Sequence, residues 1–157
     1  MRKIALLLCL VFSFNVFSEE CHKVPIMELS PGDICSIKDP DFLEYRYDEG
    51  IAYCERRVWG STRDKVYELY GIAEENRHRY TIDHIIPLSI GGSNDIKNLW
   101  AEHKDIRDAR RPKEFHWYLA LARGEVTQVQ AIKTALESKH NPDYAPRDFC
   151  RNRNKRK

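Results

Sequence analysis

Several common features are missing from this 157-residue chain. It has no internal repeat and no low-complexity run, which sets aside solenoid and fibrous architectures. No two cysteines stand at the close C-x-x-C spacing of a structural zinc site, so a four-cysteine metal centre is a poor account of them. The one long apolar run, Ile4 to Phe12, is too short to span a bilayer. No zinc-finger module or separate recognition helix is evident, so nothing announces sequence-specific reading of nucleic acid.

What is present begins with that apolar run. It follows Met1, Arg2 and Lys3 and leads into Ser13 to Ser18, the order of a secretory signal with a small-residue cleavage site. Residues 1–18 are therefore expected to be removed, leaving a secreted or periplasmic chain with no membrane anchor. Cys9 leaves with the signal. Cys21, Cys35, Cys54 and Cys150 remain, an even number in a compartment that permits disulfides. Two bridges are expected, and the three possible pairings stay open.

Without the signal the chain carries 24 basic and 24 acidic residues, but they are unevenly placed. From Glu19 to His103 there are 10 basic and 17 acidic residues; from Lys104 to Lys157 there are 14 and 7. Such a one-sided field suits a protein that meets a polyanion, although solvated surface charge can give the same pattern. One domain over residues 19–150 is expected, followed by a basic tail over 151–157.

Pro25, Pro31 with Gly32, and Asp39 to Asp41 around Pro40 predict irregular structure with short strands up to about Cys54. A short strand over Arg57 to Trp59 comes next. Beyond the break at Gly60, Ser61 or Thr62 caps a helix with Val66, Leu69 and Tyr70 facing inward. Residues Arg79 to Ile86 read as a strand, Gly91-Gly92 with Ser93, Asn94 and Asp95 as a loop, and Asn98 to Trp100 as a second strand. A helix follows Glu102, interrupted or restarted at Pro112 and stopped at Gly124. Thr127 and Gln130 form a capping box for a last helix with Val129, Ile132, Ala135 and Leu136 inward.

The stretch YTIDHIIPLSIGGSNDIKNLWAEHK, Tyr80 to Lys104, carries the chemistry. Hydrolysis of a phosphodiester needs an activated water, neutralised phosphate charge and a stabilised leaving oxygen. A neutral imidazole such as His84 can take a proton near neutral pH. Adjacent side chains on a regular strand face opposite ways, so a local distortion near Pro87 is expected if Asp83 and His84 are to serve one metal.

Asp83, His84, Ile85, Pro87, Leu88, Ser89, Gly91, Gly92, Ser93, Asn94, Asp95, Asn98 and Leu99 follow a familiar pattern. The stretch resembles the HNH endonucleases of the His-Me finger, or ββα-metal, superfamily. NLW-x-x-HK and the later GE-x-x-x-x-QA are similar to a group of small secreted bacterial HNH proteins. The resemblance implies an α+β fold with a finger core over residues 79–111. It also implies a metal-dependent endonuclease acting on DNA, with RNA also possible, and with little sequence preference. His84 would activate water, Asp83 would bind one divalent cation, and Asn98 would support the loop. Magnesium is the first choice of ion, with manganese, zinc or nickel open. The usual last ligand position, nine residues beyond Asn98, is Arg107, which has no lone pair to give. His103 is the expected second ligand instead. Arg77, Arg79, Lys104, Arg107, Arg110 and Arg111 are expected at phosphates. No obligate protein partner is evident, so a monomer is expected. The rival expectations are a nucleic-acid-binding module without turnover and a disulfide-stapled interaction protein.

Overall fold

The computed structural model describes residues 22–141, 143 and 145, except for the side chains of 111–114. The expected signal, Cys21, Cys150, the side chain of Arg111 and the basic tail lie outside the described residues.

Four short strands and three helices are found among the described residues. Strand β1, Phe42–Arg46, pairs antiparallel with β2, Ile51–Cys54, with an irregularity between Phe42 and Glu44. Helix α1 spans Gly60–Leu69. Strand β3, Tyr80–His84, then pairs antiparallel with β4, Leu99–His103, and α2, Lys104–Ala122, follows directly. Helix α3, Gln128–Lys139, packs against α2. Strand, Gly-rich loop, strand and helix make the ββα unit expected of an α+β HNH fold.

The hairpin sits between two apolar clusters. Val66 and Tyr67 of α1 and its C-cap Tyr70 pack with Tyr80, Ile82, Leu99 and Ala101 of β3 and β4. Ile86 and Ile90 of the loop pack with Ile51, Leu121, Ala131 and Ala135. No helix among the described residues is long and apolar enough to cross a membrane.

Several local expectations are corrected. Residues 57–59 form no strand; Trp59 is instead the N-cap of α1, which begins at Gly60 itself. Leu69 is 47% exposed and Tyr67 takes the inward place, because α1 turns its Val66–Tyr67–Tyr70 stripe toward the hairpin. Helix α2 runs through Pro112 without ending. Proline removes one intrahelical donor, and the inward packing of Ile106, Trp117 and Leu121 on either side offsets that loss. On α3 the Thr127–Gln130 capping box is present, but Val129 is 76% exposed and Ala131 faces in.

Of the expected bridges, Cys35–Cys54 is present. The cysteines are 19 residues apart in sequence. On a loop-closure account, joining them contributes about 3 kcal/mol. The bridge ties the end of β2 to a segment that holds the Gly-rich loop, where Cys35 N donates to Gly91 O at 2.9 Å and Ile34 bridges Gly92.

Candidate active site

The loop between β3 and β4 owes its shape to Asn98 and two glycines. Asn98 is fully buried and uses its whole carboxamide. Its Oδ1 accepts from Ile86 N (2.8 Å) and Asp33 N (3.3 Å), and its Nδ2 donates to Ile86 O (2.9 Å) and Ser93 O (2.8 Å). Asn98 therefore acts as a staple across the loop, and its described hydrogen bonds are all to backbone. Gly92 is required because a Cβ there would lie 1.9 Å from Ile86 O. Gly91 has φ +92°, and a Cβ would meet the side chains of Gln128 and Ile51.

The β3–β4 register runs through five consecutive pairs, from Tyr80 opposite His103 to His84 opposite Leu99. The local distortion expected near the Asp-His pair is thus absent from β3. Strand alternation puts Asp83 with Thr81, Trp100 and Glu102 on one face, and His84 with Tyr80, Ile82, Ala101 and His103 on the other.

On the first face lies a closed cluster of charge. Asp83 Oδ2 accepts from Arg110 Nη2 at 3.0 Å and from the ammonium of Lys139 on α3. The second nitrogen of Arg110 pairs with Glu102, and its guanidinium lies 5.8 Å from the Trp100 ring centroid. Burial alone would raise Asp83, but Lys139 and then Arg110 outweigh it and hold the carboxyl well below its usual range. Burial, reinforced by the Asp83 charge, pushes Glu102 up to about 7 against the pull of Arg110 and Lys139. Near neutral pH the cluster thus sets two cations against Asp83 and a partly protonated Glu102.

His84 faces a different environment. Its ring is almost fully buried, with Nε2 3.0 Å from Asn94 Oδ1 and Nδ1 3.3 Å from Arg56 Nη1. A guanidinium can only donate, so Nδ1 is the acceptor and Nε2 carries the proton, which it donates to Asn94. Burial lowers the imidazole pKa below 6.5 and Arg56 adds to that, partly opposed by the Asn94 hydrogen bond. The result is a neutral base whose Nδ1 lone pair points at an exposed arginine. Arg56 also donates to Ile82 O at 3.0 Å. Neither Arg56 nor Arg63 has an ion-pair partner among the described residues. Arg56, Val58 and Arg63 line a hollow against β3, and Val58 and Arg63 continue it into a groove with Trp59, Arg77 and His78. Trp59 is 67% exposed there.

The remaining predicted residues fall as follows. Arg77 lies in that groove, paired with Asp64 at 2.9 Å and stacked over Tyr67. Arg79 is half-buried, Lys104 is exposed, and Arg107 pairs with Asp108 at 2.8 Å. Arg110 is a correction: it is 1% exposed and bonded to Asp83 and Glu102, because Ile106 and Arg110 share the inward stripe of α2. It is not a surface phosphate contact. His103 is the N-cap of α2; its Nδ1 accepts from Asp105 N at 3.2 Å and its ring meets Tyr80 edge-on. The structure does not bring His103 and Asp83 together, since they lie on opposite faces and three pairs apart.

HNH proteins generally bind a divalent metal. The donor set that matches a hard cation here is the carboxylate pair Asp83 and Glu102, which share a face and the same guanidinium. The one group of three candidate donor residues clustered among the described residues is Cys35, Asp39 and Cys54, and its two sulfurs are joined in the disulfide.

Asp41, Glu55, Arg56 and Asn94 were not among the predicted site residues. Arg56 and Asn94 lie 28 and 10 residues from His84 in sequence, and only Asn94 belongs to the motif. No curated protein and no solved structure matches the chain. Residues 71–105 match the family model described as HNH endonuclease. That span holds β3, the Asn98-stapled loop and β4, so this segment of the chain is similar to HNH endonucleases.

Proposed function

We propose that this protein is an exported endonuclease that hydrolyses DNA phosphodiester bonds with little sequence preference, using His84 as general base. One observation carries it: a buried imidazole whose Nε2 lies 3.0 Å from Asn94 Oδ1 and whose Nδ1, with its lone pair, lies 3.3 Å from an exposed arginine outside any described ion pair. That lone pair takes the proton of the attacking water. Arg56, now donating to Nδ1, turns to the phosphate oxygens when substrate arrives and so frees the base for water. The groove through Arg63, Trp59 and Arg77 leads away from His84 and offers a strand both cations and a stacking surface. Backbone and stacking contacts of this sort read no sequence.

A divalent cation held by Asp83 and Glu102 would supply charge neutralisation at the phosphate and at the departing 3′ oxygen. Because these carboxylates lie across the hairpin from His84, serving one phosphate requires the end of β3 to distort when substrate binds. An all-oxygen pair favours magnesium or manganese over zinc or nickel. Export is supported by the N-terminal apolar run and by a disulfide beside the catalytic loop. One observation favours the second reading, a binding module without turnover: the charge of Asp83 is already met by Lys139 and Arg110.

Single-turnover nicking of a supercoiled plasmid tests both readings. With magnesium or manganese the protein should leave 5′-phosphate and 3′-hydroxyl ends, and His84→Ala should be about 10³-fold slower. Binding without nicking would leave the module reading standing. Cleavage that survives a chelator would remove the metal from the mechanism.

A further inference from the structure

We propose that Asp41 is a positioning residue for His84, acting through Asn94 to select the tautomer that leaves Nδ1 as the base. This rests on the assignment of His84 as general base.

A carboxamide has one acceptor end and one donor end, and which end faces the histidine decides where the imidazole proton sits. Asn94 Nδ2 donates to the Asp41 carboxylate and to Glu55 O at 2.7 Å. Both partners are acceptors, so the amide cannot turn over without setting its oxygen against two other oxygens. Oδ1 is thereby held toward His84 Nε2 at 3.0 Å, and Nε2 must carry the proton. Arg56 imposes the same tautomer from the other nitrogen.

Asp41 is well placed for the task. It is 8% exposed, directly precedes β1, and its backbone oxygen accepts from Glu55 N at 2.9 Å. The Cys35–Cys54 bridge ends one residue before Glu55. Asp41 and Asn94 are 53 residues apart in sequence, and Asp41 lies outside the segment that matches the HNH family. The same contact could simply fasten the β1–β2 hairpin to the loop, so the test needs a readout that fastening alone would not move.

Two variants of the full chain separate the roles. Asp41→Ala removes the acceptor, and Asp41→Asn keeps an oxygen that can still accept from Asn94. In 15N-histidine-labelled protein without DNA and carrying Arg56→Ala, so that Asn94 alone fixes the proton, His84 should be the Nε2-protonated tautomer with Asp41 or Asp41→Asn, and a mixture with Asp41→Ala. A His84→Gln sample identifies the signals. In single-turnover cleavage, Asp41→Ala should slow the step at saturating DNA about 10²-fold, with less than a twofold change in half-saturation, while Asp41→Asn stays within a fewfold of wild type. A single Nε2-protonated tautomer and wild-type rate in folded Asp41→Ala would overturn the proposal, as would wild-type His84 protonated on Nδ1. Loss of activity equal in both variants with the tautomer unchanged would also overturn it. The expected tautomer change in Asp41→Ala together with no cleavage by wild type would instead sink the nuclease assignment.

Discussion

Asp83 and His84 are neighbours in sequence, yet they serve opposite faces of the β3–β4 hairpin, and the two faces are built differently. The Asp83 face is closed by ion pairs: two carboxylates and two cations, drawn from β3, β4, α2 and α3, pair with one another, and of the four only Asp83 keeps part of its side chain (24%) exposed. The His84 face is held just as firmly behind the ring, by Asn94, but in front of it stands an exposed arginine at the head of a groove. One face joins α3 to the finger. The other buries a base behind an exposed arginine. The difference teaches that a shared motif does not by itself make a shared site; strand alternation divides its residues, and neighbouring elements decide what each half does.

The closed face should show its largest effect in stability. Lys139→Met leaves Asp83 with half its counter-charge and should cost about 3 kcal/mol in urea unfolding at pH 7. A carboxyl held below its ordinary 3.8 contributes stability that is present above that value and is lost as pH falls through its folded pKa. The gap between variant and wild type should therefore narrow below about pH 3.8. Equal stability at pH 7 would mean that the cluster does not hold α3 to the hairpin. The same variant should bind manganese more tightly if Asp83 is a ligand; unchanged affinity would remove Asp83 from the donor set.

On the open face a smaller effect is expected, and of another kind. Arg56→Ala should weaken DNA binding about tenfold and lower the log–log salt slope by about 1, with little change in unfolding. Arg110→Ala should do the reverse, losing stability while keeping the slope. If Arg110→Ala flattened the salt dependence and Arg56→Ala did not, the assignment of the two faces would be inverted.

Much of the finger was legible in the sequence because its determinants are local. Gly91-Gly92, Asn98 and the strand patterns all lie in the one stretch from Tyr80 to His103, and the Thr127–Gln130 box lies within four residues. Asp83 and His84 were legible as chemistry, but their separation was not, since the motif alone does not show whether the strand distorts. Arg110 was misjudged because a helix with cations at nearly every turn does not reveal which turn faces inward; the buried acids that draw it in come from β3 and β4. Arg56 and Asp41 were invisible for a different reason. They reach the site from the β1–β2 region through long-range contacts that no local spacing encodes, and the disulfide that fixes this region pairs cysteines whose partners the sequence left open.

The most direct test of the central claim, that His84 on the open face is the base, is the pH dependence of single-turnover cleavage. Only the neutral imidazole can accept the proton, and burial with Arg56 sets its pKa below 6.5, so the rate should fall on acidification with a midpoint below 6.5. That limb should vanish from the residual activity of His84→Ala. A midpoint at or above 6.5, or the same acid limb in His84→Ala, would contradict the account.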